Sequence, residues 1–206
     1  MVILNPETFS EGLHYLASQD DDLKRVVDQY GRPPMWARRP GFSTLVRIIL
    51  EQQVSLASAR AAYERLGQAI GTITPRRFLR LDDESLFKIG FSRQKRLYVR
   101  LLAEDILAGR FDLHGLVDLD DDKVREAMLK VKGVGNWSAD IYLLMALRRP
   151  DVWPTTDLAL MTAAQKVKGL PQRPSMDEME ALGENWHPWR AVAARILWHY
   201  YLSSKA

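Results

Sequence analysis

The amino-acid sequence predicts an all-α protein with short connections between its helices. Three observations support this prediction. Apolar residues recur at helical spacing along most of the 206 residues, helix-capping residues precede several of these segments, and no stretch alternates like a strand–turn–strand pair.

The first half of the chain contains the most apolar predicted helix. Residues 45–50 are almost continuously apolar and are followed by Glu-Gln-Gln at 51–53. Thr74 before Pro75 is typical of a helix start, because proline fits the first helical position. Ser92 is expected to cap the next long helix. The basic residues after it either face phosphates or form a solvated helix face: Arg93, Lys95, Arg96 and Arg100.

The second half continues the helical pattern. Apolar residues between 124 and 131 follow i, i+3, i+4, i+7 spacing and lead into a Gly-Val-Gly turn at 133–135. Asn136 is expected to cap the helix after this turn, and the last helix is predicted at about residues 189–202.

Composition narrows the class of protein. The chain has no cysteine, which excludes disulfides, thiolate zinc sites and cysteine-ligated iron–sulfur clusters. The formal net charge of +3 and a pI of about 9.2 permit nucleic-acid binding without establishing it. The N-terminus does not resemble a signal peptide and the longest apolar runs are too short for a membrane span, which predicts a soluble cytoplasmic protein.

The turn at 133–135 is the first candidate for a functional site. Two glycines between helices expose backbone N–H groups at a helix start, an arrangement that favours binding of an anionic phosphate. The alternative is a purely structural turn in which the glycines supply positive φ. Lys132 before the turn, with Asn136 and Ser138 after it, adds charge and donors that could hold a DNA phosphate without reading base sequence.

Asp157 is the second candidate. It ends the sequence Pro-Thr-Thr-Asp at 154–157, ahead of an apolar segment, where aspartate commonly caps a helix. A capping position also places a carboxylate at the edge of an element, where it could stabilise positive charge on a sugar. The two roles are compatible.

Four segments carry a resemblance to a known family. They are residues 131–146 (VKGVGNWSADIYLLMA), 149–157 (RPDVWPTTD), 48–55 (IILEQQVS) and 186–194 (WHPWRAVAA) with Trp198. In order and spacing they resemble the helix-hairpin-helix (HhH-GPD) DNA glycosylases, and specifically the 3-methyladenine DNA glycosylase II family. The similarity spans about residues 41–202.

The resemblance implies a two-lobed helix-hairpin-helix fold with a DNA cleft between the lobes. Residues 41–150 would form the central lobe, and residues 1–40 with 151–206 would form the second. Family members rotate a damaged nucleotide out of the duplex before acting on it, which costs a few kcal/mol of unstacking.

The resemblance also implies roles for individual residues. Asp157 takes the place of the catalytic aspartate, Gln53 that of the wedge inserted into the gap left by the flipped base, and Trp137 and Trp198 those of aromatic pocket residues. The residues expected to bind the DNA backbone are Lys132, Gly133, Val134, Gly135, Asn136 and Ser138. A monovalent Na⁺ or K⁺ ion would be held by the backbone carbonyls of Leu129, Val131 and Val134, and no other cofactor is expected.

Two departures from the family pattern bear on function. Bifunctional relatives carry a nucleophilic lysine where this chain has Trp137, so base excision without strand cleavage is implied. Longer bacterial members have an N-terminal β-rich domain, whereas only about 40 residues precede the first barrel helix here. Any pocket residues supplied by that domain are expected to be missing.

The sequence therefore predicts a monofunctional DNA glycosylase that excises alkylated purines such as 3-methyladenine and 7-methylguanine from duplex DNA. The expected partner is damaged double-stranded DNA, and the protein is expected to be a monomer. The alternative is a non-catalytic DNA-binding protein that uses the same hairpin as an anchor. A binder has no use for a carboxylate that would repel phosphate, so Asp157 distinguishes the two hypotheses.

Borohydride treatment during base excision should trap no covalent protein–DNA adduct. The reason is that Trp137 stands where bifunctional relatives carry the amine that forms a Schiff base. The measurement is gel separation of protein and damaged duplex after reduction. A trapped adduct that increases in proportion to activity would show that another amine, such as that of Lys132, acts as a nucleophile.

Overall fold

The computed structural model describes residues 3–204, and all regular structure in that range is helical, as the sequence predicted. Twelve α-helices and one short 3-10 helix (Gly115–Asp118) occur in these residues: α1 (Pro6–Gln19), α2 (Asp21–Tyr30), α3 (Phe42–Glu51), α4 (Leu56–Ile70), α5 (Pro75–Phe78), α6 (Asp83–Ile89), α7 (Arg93–Leu107), α8 (Asp121–Leu129), α9 (Asn136–Met145), α10 (Leu158–Val167), α11 (Met176–Glu184) and α12 (Arg190–Ser203). No helix in this range is long and apolar enough to cross a membrane.

The chain divides into two compact units. The central unit comprises residues 38–142, and the terminal unit comprises the described residues up to Ala37 and from Leu143 onward. The second boundary falls within α9, whereas the sequence suggested a boundary after that helix. Nothing in the sequence of a continuous helix marks the residue at which its packing partners change.

Helix starts follow the predicted capping residues in most cases. The Thr74 hydroxyl accepts from the Arg77 N–H at 3.3 Å, with Pro75 in the first turn, and the Ser92 hydroxyl accepts from the Lys95 N–H at 3.3 Å. Each side chain thereby satisfies one of the N–H groups that a helix start leaves without an intrahelical acceptor.

The start of α9 differs from the prediction. Asn136 is the first helical residue, not the cap, and the Ala139 N–H donates to the Gly135 carbonyl at 3.0 Å. Gly135 therefore occupies the capping position, which glycine tolerates well.

Apolar side chains of α3 form the middle of the core of the central unit. The apolar residues predicted between 45 and 50 are all buried: Leu45, Val46, Ile48, Ile49 and Leu50. This helix packs against α4 and α7. Phe78 of α5 meets Phe42 and Phe91 edge-on, with ring centroids 6.1 and 5.6 Å apart.

The terminal unit is built around α12, which packs against α1, α2 and α10. Arg195 of α12 is fully buried and donates to the backbone carbonyls of Met35, Ala191 and Leu144 at 2.7–2.8 Å. Burial lowers the pKa of this guanidinium to about 9, which leaves it charged at neutral pH. At the start of α12, Arg190 forms an ion pair with Asp151 at 2.7 Å.

Candidate functional site

The glycine turn joins α8 to α9 within the central unit. The side chains of Val131 and Val134 are buried, and the Val134 N–H donates to the Val131 carbonyl at 3.1 Å. An ion pair of 2.8 Å connects Arg125 of α8 with Asp140 of α9. Both the turn and the two helices are therefore fixed by contacts inside the unit.

The two glycine positions of the turn differ in whether the local structure requires glycine. Gly133 has φ +86°, and a Cβ at this position would overlap the ring of Tyr98 on α7, so conformation and close packing both require glycine. Gly135 does not have positive φ, which corrects that part of the prediction. A Cβ on Gly135 would meet nothing within 4 Å, so its small size matters only to what approaches from solvent.

Part of the turn that the sequence predicts to bind a phosphate is exposed to solvent. Lys132, Gly135 and Asn136 are exposed at the beginning of α9. The first N–H groups of a helix lack intrahelical acceptors, and the helix dipole favours an anion there. Ser138, also predicted to bind the phosphate, differs from these three residues because it is buried. It is 2% exposed, and its hydroxyl accepts a hydrogen bond from the Gln52 amide at 2.8 Å.

Three of the four basic residues at the start of α7 form hydrogen bonds or ion pairs with other residues of the central unit. Arg96 donates to the Asp83 carbonyl at 2.6 Å, and Arg100 pairs with the carboxylate of the same residue at 2.9 Å. Lys95 donates to two carbonyls at the end of α3, both at 2.8 Å. Arg93 is exposed. The contacts of Arg96 and Arg100 with Asp83 are solvent-exposed, which is consistent with a solvated helix face, whereas the contacts of Lys95 are partly buried.

The predicted wedge residue lies in the turn between α3 and α4. Gln53 is exposed and has φ +54°, a left-handed conformation that L residues adopt only at a cost of about 1–2 kcal/mol. Glu51, two residues earlier, accepts two hydrogen bonds of 2.8 Å from the Arg38 guanidinium. Val54, which follows, is 46% exposed.

Gln52 connects this turn to the hairpin. Its amide nitrogen donates to the Gly133 carbonyl at 2.9 Å and to the Ser138 hydroxyl at 2.8 Å. No sequence pattern indicates either contact, because the partners are more than 80 residues away along the chain. The pair of glutamines directly after an apolar helix is the one local signal, and the family resemblance implies a role for Gln53 alone.

Asp157 lies in the terminal unit, where it caps α10. Its Oδ1 accepts from the Leu160 N–H at 2.7 Å and from the Trp198 indole N–H at 3.2 Å, and the residue is 8% exposed. The capping role is therefore confirmed. The carboxylate is nearly buried and is oriented by a backbone donor and a side-chain donor.

The loop that leads to Asp157 is fixed by Trp153. The indole N–H of Trp153 donates to the Met179 carbonyl at 2.6 Å, and its ring meets Trp186 edge-on with centroids 5.1 Å apart. A Cβ on Gly183 of α11 would lie 2.6 Å from the same ring, so glycine permits the close approach. These contacts hold the residues before Asp157 in place.

The two tryptophans predicted as pocket residues differ in environment. Trp198 is 8% exposed, and its polar atom faces the Asp157 carboxylate, so its visible contribution is to orient that group. Trp137 lies in the first turn of α9 and is partly exposed. A stacking role for either ring stays a prediction.

Comparison with protein families gives a match over most of the chain. Residues 46–188 match the HhH-GPD superfamily of base excision DNA repair proteins. The chain is 25% identical to the YfjP protein of Bacillus subtilis over 85% of its own length and 64% of that protein, so it spans less than two thirds of this relative. It is 26% identical to the alkylbase DNA glycosidase-like protein mag2 of Schizosaccharomyces pombe, over 89% of the chain and 90% of that protein.

Solved structures show the same fold. The 3-methyladenine DNA glycosylase of S. pombe bound to abasic DNA has a TM-score of 0.82 at 26% identity, with 95% of this chain and 97% of that one covered. The DNA-3-methyladenine glycosidase of Bacillus halodurans has a TM-score of 0.74 at 28% identity, with 100% of this chain and 94% of that one covered.

Alanine substitutions at the two glycines should have different effects. Gly135→Ala should leave the melting temperature unchanged but weaken binding to damaged and undamaged duplex alike, because the added methyl group lies between backbone N–H groups and a phosphate. Gly133→Ala should lower the free energy of unfolding by roughly 1–3 kcal/mol, because the Tyr98 ring must move. Thermal melting and fluorescence anisotropy measure both effects. A loss of affinity limited to damaged duplex in Gly135→Ala would instead place this residue in lesion recognition.

Proposed function

Because this chain belongs to the HhH-GPD superfamily of base excision DNA repair proteins, we propose that it is a monofunctional DNA glycosylase. Its proposed activity is the removal of alkylated purines from duplex DNA. The reaction is hydrolysis of the N-glycosidic bond. The observation that carries the proposal is the placement of Asp157, a nearly buried carboxylate with two donors on one oxygen, after the family's hairpin in the chain.

The proposed mechanism gives each candidate residue one task. The exposed edge of the hairpin binds the DNA backbone through N–H groups at the start of α9 and through Lys132. Gln53 fills the gap left when the damaged nucleotide leaves the stack, and Trp137 stacks on the extruded base. Asp157 then stabilises the positive charge that develops on the sugar as the base departs, and could help to position the attacking water.

The buried donors suit Asp157 to this role. Hydrogen bonds from the Leu160 N–H and the Trp198 indole fix the orientation of Oδ1 before any substrate is present. A preorganised group of this kind in a water-poor site interacts with developing charge more strongly than the same group in water. Strand cleavage is not part of the proposal, because Trp137 replaces the nucleophilic lysine.

The hairpin carbonyls fit the monovalent cation that the family implies. Na⁺ and K⁺ bind neutral carbonyl oxygens, and the residues that would provide them are Leu129, Val131 and Val134. The Val131 carbonyl accepts one N–H, from Val134, and a carbonyl oxygen has a second lone pair available for a cation. The ion would add positive charge at the phosphate site and take no part in bond cleavage.

The proposed substrates are purines that already carry positive charge, such as 3-methyladenine and 7-methylguanine. Alkylation at a ring nitrogen weakens the glycosidic bond and favours contact with an electron-rich indole. Such a cation–π contact contributes about 0.5–2 kcal/mol. A base that leaves easily needs little acid catalysis, which is consistent with a mechanism built on one carboxylate.

The second candidate function is non-catalytic DNA binding through the hairpin. The S. pombe relative mag2 is named only as glycosidase-like, which is compatible with this alternative. The two functions are distinguished by incubating the protein with methylated duplex and assaying for abasic sites. Abasic sites that accumulate with time support the glycosylase, and tight binding without abasic sites supports the binder.

Asp157→Asn should lower the rate of base release by about a hundredfold or more. Asparagine keeps an oxygen that can accept from Leu160 and Trp198, so the helix cap and the fold should survive. Single-turnover excision measures the loss, and anisotropy should show unchanged affinity for duplex. Excision at the normal rate would mean that Asp157 is a cap and nothing more.

Trp137→Ala should impair removal of cationic bases more than removal of neutral bases such as hypoxanthine. The reason is that only the cationic base gains from the electron-rich indole face. The measurement is single-turnover excision of 7-methylguanine and hypoxanthine in the same duplex context. Equal losses for both bases would show that Trp137 shapes the pocket without sensing charge.

A further inference from the structure

The turn that carries Gln53 is connected by side-chain hydrogen bonds to three other parts of the central unit. Arg38 holds Glu51 at the end of α3 with two hydrogen bonds. Gln52 donates into the hairpin, and Lys95 of α7 donates to the last carbonyls of α3. The residue that follows these contacts is exposed and left-handed, so the contacts compensate for an unfavourable backbone conformation.

Gln52 links the turn to the same backbone segment that forms the hairpin. The amide nitrogen has two hydrogens, and each has an acceptor: the Gly133 carbonyl and the Ser138 hydroxyl. Ser138 is 2% exposed, so the contact is shielded from competing water. A displacement of the hairpin would therefore displace the turn as well.

Lys95 holds the turn from the other side. Its ammonium group donates to the carbonyls of Leu50 and Gln52 at 2.8 Å each, where the dipole of α3 places partial negative charge. Lys95 lies one turn before Tyr98 on α7, and the Gly133 backbone packs on Tyr98. The same helix thus supports both the turn and the hairpin.

We propose that Gln52 and Lys95 are positioning residues for base extrusion. They hold Gln53 in its left-handed conformation at a fixed place relative to the hairpin. Binding of the DNA backbone by the hairpin and insertion of Gln53 into the duplex therefore occur as one event. This inference rests on the proposed function, because it takes Gln53 to be the inserted residue. Preorganisation lowers the entropic cost of insertion, since the turn does not have to be ordered when DNA binds.

The first test compares Gln52→Met with Gln53→Ala and with the double variant. Methionine keeps the length of the side chain and removes both donors. Gln68→Met is the matched control, because Gln68 is an exposed glutamine on α4 of the same unit. Each protein is assayed in single turnover on two duplexes, one with 7-methylguanine paired to cytosine and one with it opposite an abasic analogue, where extrusion is easier.

We expect Gln52→Met and Gln53→Ala each to slow excision of the paired lesion by about tenfold or more. Excision of the unpaired lesion should be slowed much less, because these variants impair the unstacking step. The double variant should be no slower than the slower single variant, since Gln52 acts through Gln53. Gln68→Met should match the wild type. Multiplied losses in the double variant, or equal losses on both duplexes, would overturn the inference.

Lys95 is tested by a rescue. Lys95→Met keeps the aliphatic stem and removes the charge, and should reproduce the loss limited to the paired lesion. Lys95→Arg keeps a donor cation and should restore most of the rate. Loss in both variants on both duplexes, with a lowered melting temperature, would show a purely structural role and overturn the assignment for Lys95.

A fluorescence measurement separates this inference from the proposed activity. 2-Aminopurine placed beside the lesion brightens when the neighbouring base leaves the stack, whether or not the glycosidic bond breaks. We expect the brightening in the wild type and its loss in Gln52→Met and Gln53→Ala. Brightening without abasic sites would refute the glycosylase and keep the inference. Full brightening in Gln53→Ala would refute insertion of Gln53, and the inference with it, while abasic-site formation would still support the glycosylase.

Discussion

The close approach of the Gly133 backbone to the ring of Tyr98 is the contact on which the organisation of the hairpin depends. It is possible only without a Cβ, and it seats the turn directly on α7. That position brings the Gly133 carbonyl within reach of the Gln52 amide, which in turn fixes the end of α3. Because Lys95 extends from the same helix to the carbonyls of α3, one helix supports the hairpin and the neighbouring turn together.

The carboxylate of Asp157 shows how a single position can serve structure and chemistry. A carboxylate at 8% exposure is costly unless hydrogen bonds replace the lost water. The start of α10 provides a backbone N–H and a favourable dipole, and Trp198 provides a second donor. These two donors fix the orientation of the carboxylate at the start of α10, where the proposed reaction requires it.

Several cations of this chain bind other groups of the protein. Arg195 donates to three carbonyls in the terminal unit, and Lys95 donates to two in the central unit. Arg96 and Arg100 are both engaged with Asp83. Three of the four cations of the basic segment 93–100 are therefore already paired with other groups of the central unit. In the proposed function, contact with DNA depends more on backbone N–H groups at the start of α9 than on a broad basic surface, and such contacts are independent of base sequence.

The sequence by itself determined the elements and the two candidate positions. Helical periodicity, the caps at Thr74, Ser92 and Asp157, and the glycine turn are local signals, because each depends on interactions within about four residues along the chain. The tertiary structure decided which distant residues contact these elements. Gln52 meets Gly133, and Trp198 meets Asp157, over separations at which no local pattern specifies a partner. It also decided that Ser138 is buried against the Gln52 amide and that Gly135 does not have positive φ, because burial and backbone conformation depend on tertiary contacts that the residue types do not specify.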